Sequence, residues 1–300
     1  MKIVYFSKGI RGSRCLAAIL DHGADIQAVV GVDPEPDLER LIVSHGIEII
    51  YPTRVNTPEI VKKLKSYQAD LFVLSGYNKI LKPLIFEIPP LGTINLHGGK
   101  LPEYRGAAPI NWQIINGEST GGCSIIFVDE GIDTGDIILQ ERYPISPVDT
   151  HASVLEKTLE IFPRLLVNVL EDLGRGKVQA EKQDPLEGCY YTRRYPRDSI
   201  IDWQRMNDIQ VHNLVRGMRG PYPEAFTFRG QEKVEILRTS LLKETITGTP
   251  GRVPMKRETA VVALARNRGL LIEEILVNRK SVRPADYFQI GDDFSKTRKG

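Results

Sequence analysis

The sequence of 300 residues predicts an α/β fold with a parallel sheet, followed by a smaller domain built of short strands. In the amino-terminal part, apolar runs alternate with helical segments, the pattern of parallel strands joined by helices on both faces. After about residue 200, short β-rich runs separated by turn residues replace this alternation and favour a small barrel. We therefore predict a Rossmann-like domain over 1–200 and a second domain over 201–300.

Apolar periodicity predicts the elements of the first domain in order. The expected strands and apolar β-like runs are 3–6, 26–32, 71–75, 93–97, 123–128 and 137–139. The expected helices are about 13–22, about 38–45 and about 152–173. The loop 7–13 lacks the G-x-G-x-x-G spacing that dinucleotides require, so we expect no nicotinamide cofactor. Its backbone amides, Lys8 and Arg11 could instead bind a phosphate, or the loop could simply turn.

The second domain begins after a basic, tyrosine-rich connector at 190–199, which suits either a phosphate-binding segment or a solvated linker. A helix is expected at 208–218, and short strands at 233–237, 259–263 and 269–272. The basic residues 296–299 are predicted to be a solvated tail.

Two polar side chains two residues apart, Asn95 and His97, end the strand predicted at 93–97. Residues two apart share one face of a strand, so both side chains should point into one space. That space lies at the carboxyl end of the strand, where ligands bind in parallel α/β sheets. Taken alone, the pair could equally be a strand end that satisfies its own loop backbone.

Asp133 lies in a glycine-rich turn, G-I-D-T-G, after the second β-like run. An aspartate in such a turn commonly caps its own backbone, and this interpretation is favoured for the residue in isolation. An amide, an imidazole and a carboxylate together nevertheless suit acyl transfer.

Three motifs in a fixed order carry a resemblance to a known family. They read N-L-H-G-G-K-L-P over 95–102, Y-R-G over 104–106 and I-D-T-G over 132–135. This combination resembles the formyltransferases that use 10-formyltetrahydrofolate, whose marks are N-x-H-x-S-L-L-P, Y-R-G and L-D-T-G. The chain departs from these marks at Gly99, where the motif has Ser, and at Lys100, where it has Leu.

The resemblance implies site residues, a formyl donor and a second-domain fold. Asn95, His97 and Asp133 would be catalytic, 10-formyltetrahydrofolate would be the formyl donor, and the second domain would be an OB-like β-barrel. The expected contacts to the donor come from Tyr77, Asn78, Ile80, Gly99, Leu101 and Asp129.

The acceptor amine is less determined, because relatives in the family formylate glycinamide ribonucleotide, initiator methionyl-tRNA or nucleotide-linked amino sugars. The segments 191–203 and 216–226 are similar to the aminosugar enzymes, and the near-neutral charge agrees with a small substrate. We therefore expect a nucleotide-linked amino sugar, with methionyl-tRNA and a silent nucleotide- or folate-binding module as alternatives. The expected substrate contacts are Lys8, Arg11, Lys79, Arg105, Arg194 and Tyr222.

Composition bounds the remaining functional classes. The chain has 40 basic and 38 acidic residues, a net charge of +2, so no nucleic-acid partner is expected. Its three cysteines and five histidines show no ligand spacing, which predicts no metal site. We find neither a secretory signal pattern nor an apolar run of membrane-spanning length, and we expect a cytoplasmic protein with no membrane partner and a possible homodimer.

Overall fold

The protein, seen in a computed structural model that describes residues 1–184, 186–220 and 222–294, divides into two compact units. The first unit comprises Met1–Pro109, Gly121–Tyr143 and Glu156–Tyr191. The second comprises the described residues of Ile110–Thr120, Pro144–Leu155 and Thr192–Gly300. The predicted domain boundary between 200 and 201 stays a prediction, and the predicted tail at 296–299 falls outside the described residues.

In the amino-terminal part of the chain, strands alternate with helices, as predicted. Nine strands lie in the described residues up to 191. They are β1 Lys2–Ser7, β2 Asp25–Gly31, β3 Glu48–Ile50, β4 Leu71–Ser75, β5 Thr93–His97, β6 Arg105–Gly106, β7 Thr120–Phe127, β8 Ile137–Pro144 and β9 Tyr190–Tyr191. Seven of these strands form one sheet in the order β3-β2-β1-β4-β5-β7-β8, and β6 and β9 pair separately.

The large sheet is mixed rather than wholly parallel. The pairs among β3, β2, β1, β4 and β5 are all parallel, as the Rossmann-like prediction requires. Strand β7 runs antiparallel to β5, with His97 opposite Ser124. The predicted Rossmann-like parallel sheet is confirmed for this core, and β7 is an antiparallel addition of the kind that α/β sheets readily take.

The register of the parallel strands brings their carboxyl ends to one edge of the sheet. Ser7 lies beside Ser75, and Ser75 lies beside Leu96. Strands β1 and β4 are almost entirely buried, and phenylalanine side chains such as Phe6 and Phe72 pack in the core beneath this edge. Burying each such side chain contributes roughly 1.5–3 kcal/mol to folding. The sheet edge that carries Asn95 and His97 is therefore supported by a packed apolar core.

Nine helical segments are described. They are α1 Gly9–Asp21, α2 Pro36–Ser44, α3 Pro58–Ser66, α4 Pro83–Phe86, α5 Pro109–Ile115, α6 His151–Gly174, a 3₁₀ turn Pro196–Ser199, α7 Asp208–Gly217 and α8 Pro284–Tyr287. Most begin with proline, which lacks the N–H that a first helical turn leaves unpaired and has a preset helical φ.

Helix α1 begins at Gly9, earlier than the predicted start near Ser13. The N–H of Gly9 donates to both carboxylate oxygens of Glu35, at 2.7 and 2.9 Å. This contact satisfies a donor that a helix start otherwise leaves unpaired. Because Glu35 lies 26 residues further along the chain, the local pattern could not reveal it.

The second unit contains an antiparallel sheet. Its strands are β10 Phe226–Arg229, β11 Glu232–Leu241, β12 Met255–Lys256, β13 Val261–Leu264, β14 Gly269–Val277 and β15 Lys280–Val282. The order is β10-β11-β14-β13-β12, and β15 pairs with β14. No pairing joins β10 to β12 within the described part of the chain, so an open sheet is observed and the OB-like barrel stays a prediction.

Helix α7 packs against β11 and buries Val211, Leu214 and Val215. A reciprocal cap fixes its start. The side chain of Asn207 accepts from Gln210 N at 2.8 Å, and the side chain of Gln210 accepts from Asn207 N at 2.9 Å. Such a capping box satisfies two backbone donors at once.

His151, at the start of α6, is a buried titratable group in the second unit, 4% exposed. Its Nδ1 atom has no hydrogen-bond partner among the described residues, and its ring lies edge-on to Tyr222. Burial lowers the pKa of His151 from 6.5 to about 4, because a charged ring would lose its hydration there.

We expect His151 to make stability fall on acidification. Between about pH 6.5 and pH 4 the unfolded chain takes up a proton that the folded protein does not, so the free energy of unfolding decreases as pH falls, by about 3 kcal/mol from this group. The variant His151→Gln should lose that component. Urea unfolding of both proteins at pH 7 and pH 4.5 measures the difference. Equal losses of stability in the two proteins would contradict the assignment.

Candidate active site

Asn95, His97 and Asp133 meet at the carboxyl edge of the first unit's sheet. The amide nitrogen of Asn95 donates to Asp133 Oδ1 at 3.3 Å. The Nδ1 atom of His97 lies 3.4 Å from Asp133 Oδ2. The His97 side chain is 6% exposed and that of Asp133 is 14% exposed. The structure thus places within one contact network three groups that lie up to 38 residues apart in sequence.

A backbone donor completes the surroundings of the Asp133 carboxylate. The N–H of Gly106 donates to Asp133 Oδ2 at 2.9 Å. The backbone of Asp133 has φ +54°, the left-handed region that non-glycine residues rarely occupy. The carboxylate is therefore engaged across the site, and the structure gives Asp133 more than the local turn cap that its sequence neighbourhood favours.

Both ring nitrogens of His97 face acceptors. Nε2 lies 2.6 Å from the carbonyl oxygen of Tyr104, which can only accept, so this nitrogen carries a proton. Nδ1 faces the Asp133 carboxylate, which accepts as well when ionised. A ring protonated on both nitrogens satisfies both contacts. Before His97 can donate to a substrate oxygen, one of these two contacts must be exchanged.

The amide of Asn95 has one N–H donor more than its contact with Asp133 uses. Its nitrogen carries two hydrogens, and the contact with Asp133 uses one of them. The cluster thus combines a neutral donor, a cationic donor when His97 is doubly protonated, and a carboxylate. This set can stabilise negative charge on a carbonyl oxygen and take up a proton from an attacking amine.

The loop after β4 contains three residues predicted to contact the formyl donor, and they differ in exposure. Tyr77 is 8% exposed, packs edge-on against Phe6, and has its pKa raised to about 12 by burial. These contacts make its ring a core side chain. Asn78 and Ile80 are exposed at the surface. Their expected role in donor binding stays a prediction.

The other residues predicted to contact the formyl donor are Gly99, Leu101 and Asp129. They lie beside the polar cluster or in its loops. Gly99 is buried, and a Cβ built there would lie 2.6 Å from His97 Nε2 and 2.6 Å from Tyr104 O. Leu101 is 2% exposed. Asp129 is exposed and caps the turn before Asp133, accepting from Gly131 N at 3.1 Å and Thr134 Oγ1 at 2.7 Å.

Three cations predicted to bind substrate in the first unit have partners within the protein. Lys8 pairs with Asp33 at 3.3 Å. Lys79 Nζ donates to Pro52 O at 2.8 Å. Arg11 lies over the Phe162 ring at 5.1 Å, and its Nε and Nη1 atoms are buried without hydrogen-bond partners among the described residues.

The guanidinium of Arg105 lies inside the protein. The residue is 1% exposed. It donates to the side chain of Gln183 and to the carbonyl oxygens of Asp184 and Glu187 at 2.8–3.1 Å. The contacts of this buried cation are thus with the protein itself, and its expected role in substrate binding stays a prediction.

The two predicted substrate residues of the second unit are also engaged. Arg194 lies over the Trp112 ring at 4.6 Å and donates to Asp198 O at 2.5 Å, and burial lowers its pKa. Tyr222 is half-buried and lies edge-on to His151. Their roles as substrate contacts stay predictions.

No sequence pattern indicated a role for Gln183. Its amide donates to Asp133 O at 3.0 Å and to Gly135 O at 2.7 Å. The residue lies about 50 positions beyond the turn that it contacts, in a polar segment without periodicity. No local signal could have connected the two.

A cavity of about 470 Å³ lies in the second unit and contains none of the residues of the polar cluster. Two pairs of its polar side chains contact each other, His212 Nδ1 with Thr239 Oγ1 at 3.0 Å and Arg238 with Glu273 at 3.2 Å. We therefore take the cluster of the first unit, and not this cavity, as the candidate active site. The described residues include no group of three or more His, Cys, Asp or Glu able to hold a metal. No helix in the described ranges combines the length and the apolarity needed to cross a bilayer.

The fold and the cluster define a two-unit α/β enzyme whose donors and carboxylate suit transfer of an acyl group. Comparison with family models makes the class specific. The formyl transferase model matches residues 20–170, and the formyl transferase C-terminal domain model matches residues 194–291. The chain belongs to the formyl transferase family, and the resemblance seen in its three motifs is confirmed.

Individual relatives agree with this assignment. The methionyl-tRNA formyltransferase of Geotalea uraniireducens is 32% identical over 299 residues, which cover 96% of this chain and 94% of that protein. An N-formyltransferase from Helicobacter canadensis, solved with folinic acid and dTDP-3-aminofucose, has a TM-score of 0.69 at 20% identity, covering 92% and 99%. HypX from Aquifex aeolicus, solved with tetrahydrofolic acid, has a TM-score of 0.64 at 20% identity. The match covers 94% of this chain and 45% of HypX.

We expect Gly99→Ser, which installs the residue of the family motif, to impair this protein. The new Cβ would push apart His97 Nε2 and Tyr104 O, each 2.6 Å from its position. Formyl-transfer turnover should fall about tenfold, equivalent to about 1.4 kcal/mol in the barrier.

Gly174→Ser is the matched control, because a Cβ at Gly174 meets no atom within 4 Å. Turnover of the two variants is measured beside thermal unfolding. Unchanged turnover in the Gly99 variant would show that the loop accommodates a side chain without moving His97.

Proposed function

We propose that the protein transfers a formyl group from 10-formyltetrahydrofolate to the amine of a nucleotide-linked amino sugar. The observation that carries the transfer chemistry is the meeting of Asn95, His97 and Asp133 around one carboxylate. The donor is supported by the family and by the H. canadensis enzyme, which was solved with folinic acid. The second N–H of the Asn95 amide can donate a hydrogen bond to a formyl oxygen.

Each residue of the cluster has a distinct task in this proposal. 10-Formyltetrahydrofolate supplies the electrophilic formyl carbon. Asn95 donates to the formyl oxygen as negative charge develops there. His97 adds a second donor after giving up one of its present contacts. Asp133 holds the imidazolium and receives the proton that the attacking amine loses, directly or through water. The new carbon–nitrogen bond replaces the one to the folate nitrogen, which takes up a proton on departure.

Internal charge pairing favours a small acceptor over a nucleic acid. Several arginines of the second unit pair with carboxylates: Arg229 with Asp292, Arg238 with Glu273 and Glu274, Arg252 with Asp293, Arg257 with Glu244, and Arg268 with Asp208. Binding of tRNA draws on many phosphate contacts. Pairs with more buried carboxylates, such as Arg229 with Asp292 and Arg268 with Asp208, are the ones that a phosphate would displace least readily. A nucleotide diphosphate needs only a few donors.

Exposed or half-buried cations remain available for those few contacts. The pair of Lys8 with Asp33 has both side chains at least 36% exposed, so exchanging Asp33 for a phosphate costs little. We assign Lys8 and Lys79 to the diphosphate, and the expected substrate contacts of Arg194 and Tyr222 in the second unit stay predictions. We also propose a cytoplasmic location, and a homodimer stays a prediction.

Methionyl-tRNA is the second candidate acceptor. It is favoured by full-length relatives such as the G. uraniireducens enzyme, 32% identical, which is named for that substrate. The aminosugar proposal has structural relatives at about 20% identity, which establish the fold alone.

An acceptor panel distinguishes the two candidates and the silent-module alternative. The protein is mixed with 10-formyltetrahydrofolate and either dTDP-, UDP- or GDP-linked amino sugars or charged initiator tRNA. Formylation is detected by mass spectrometry. We expect turnover with at least one amino sugar and none with tRNA. Formylation of tRNA alone would overturn the sugar proposal, and no turnover with any acceptor would favour a binding module.

Replacing the donors should abolish catalysis and leave the fold intact. Loss of one oxyanion donor is typically worth about 3 kcal/mol, so Asn95→Ala should lower kcat roughly 100- to 1,000-fold. His97→Ala and Asp133→Asn should also be severely impaired. Circular dichroism and thermal unfolding confirm folding of each variant. Near-normal turnover in folded Asn95→Ala and His97→Ala proteins would exclude this cluster as the catalytic site.

A further inference from the structure

A surface segment of the first unit, here called the strap, comprises the described residues of 181–191. One end pairs with β8, where Ile137 N and Glu181 N each donate to the other's carbonyl at 2.8 Å. The other end pairs with the β6 loop, where Ala107 N donates to Tyr191 O at 2.9 Å. The strap therefore connects the two segments that supply Asp133 and Gly106 to the polar cluster.

Gln183 is the strap residue that reaches the Asp133 turn. Its Nε2 donates to Asp133 O at 3.0 Å and to Gly135 O at 2.7 Å, the carbonyls on either side of Thr134. Its Oε1 accepts from Nε and Nη2 of Arg105, at 3.1 and 3.0 Å. Both amide hydrogens and the amide oxygen are thus in use.

These partners fix which way the amide faces. Arg105 can only donate, so it must face the oxygen of Gln183, and the two carbonyls can only accept, so they must face the nitrogen. Arg105 is itself held, since Nη1 also donates to Glu187 O at 2.8 Å, Nη2 donates to Asp184 O at 3.1 Å, and its guanidinium lies over the Tyr190 ring. A buried cation thereby locks the orientation of the neutral amide.

The Asp133 turn needs such a support. Asp133 has φ +54°, a conformation that is unfavourable for a residue with a Cβ and persists only where the surroundings impose it. The two bonds from Gln183 bracket the turn and hold the backbone that aims the carboxylate. A carboxylate displaced by even a fraction of an ångström would lose its contacts with Asn95 and His97.

We propose that Gln183 is a positioning residue for the reaction, fixing the Asp133 carboxylate against Asn95 and His97, and that Arg105 acts through it by locking the amide. This role rests on the formyl transfer proposed above. Gln183 itself touches neither the formyl group nor the acceptor. Its effect is expected on turnover and not on substrate affinity.

The variant Gln183→Glu tests the role with the smallest change of shape. It removes both donors to the turn and retains an acceptor for Arg105, so the strap stays attached. We expect kcat to fall about tenfold or more and KM for the formyl donor to stay within about twofold, the pattern of an interaction that matters in the transition state. Gln204→Glu is the matched control, because Gln204 also donates to a backbone carbonyl, Pro250 O at 3.1 Å, in the second unit.

A second measurement needs no substrate. The N–H of Gly106 donates to Asp133 Oδ2, so its hydrogen exchange, followed by NMR, reports whether the carboxylate is in place. We expect exchange at Gly106 to accelerate about tenfold or more in Gln183→Glu and to be unchanged in Gln204→Glu. This result stands or falls independently of the proposed reaction.

The outcomes separate positioning from general stability. Faster Gly106 exchange together with a lower kcat and a near-constant KM supports the role. Unchanged exchange, or a loss of activity that merely follows the unfolded fraction, would overturn it. If the wild-type protein formylates no acceptor, the proposed function fails, and the exchange measurement still decides whether Gln183 holds Asp133.

Discussion

The site depends on one physical constraint, the satisfaction of a carboxylate that is only 14% exposed. Asp133 accepts from the Asn95 amide and the Gly106 backbone, and it faces the His97 ring. Hydrogen bonds to a charged group contribute about 1.5–3 kcal/mol each, and leaving the charge unpaired would cost at least as much. The folded chain therefore brings strand β5, the Gly106 loop and the Asp133 turn to one point, and the groups proposed for the chemistry are also groups that stabilise this charge.

The parts of this arrangement that follow local rules could be predicted from the sequence. Strands β4 and β5 lie where the apolar pattern placed them, at Leu71–Ser75 and Thr93–His97. The two-residue spacing of Asn95 and His97 is consistent with both reaching one carboxylate. The approach of Asp133 is not local, since it spans 38 residues and a left-handed backbone, and only the family motifs indicated it. The antiparallel direction of β7 was missed because an apolar run looks the same in either direction.

The cationic residues predicted to bind substrate have partners within the protein that the sequence did not indicate. A basic side chain in a loop suggests a phosphate ligand. Its charge can bind a phosphate only if no other group of the protein is already paired with it. Arg105 is claimed by partners 78 to 82 residues away, and Arg194 by a tryptophan that precedes it by more than 80 positions. Such partners are set by the fold, and a single sequence contains no signal that connects them.

The pairing of charges within the protein also bears on which acceptor it uses. Proteins that resemble this chain over nearly its whole length are named for tRNA or were solved with an amino sugar nucleotide, so overall similarity reports the shared formyl chemistry more directly than the acceptor. Specificity for a polyanion requires cations that the protein itself does not neutralise. In the second unit, arginines such as Arg238 and Arg268 are held by carboxylates, and Arg216 donates to the carbonyls of Ser146 and Asp149. Binding of tRNA draws on many phosphate contacts, whereas a sugar diphosphate requires only a few local donors.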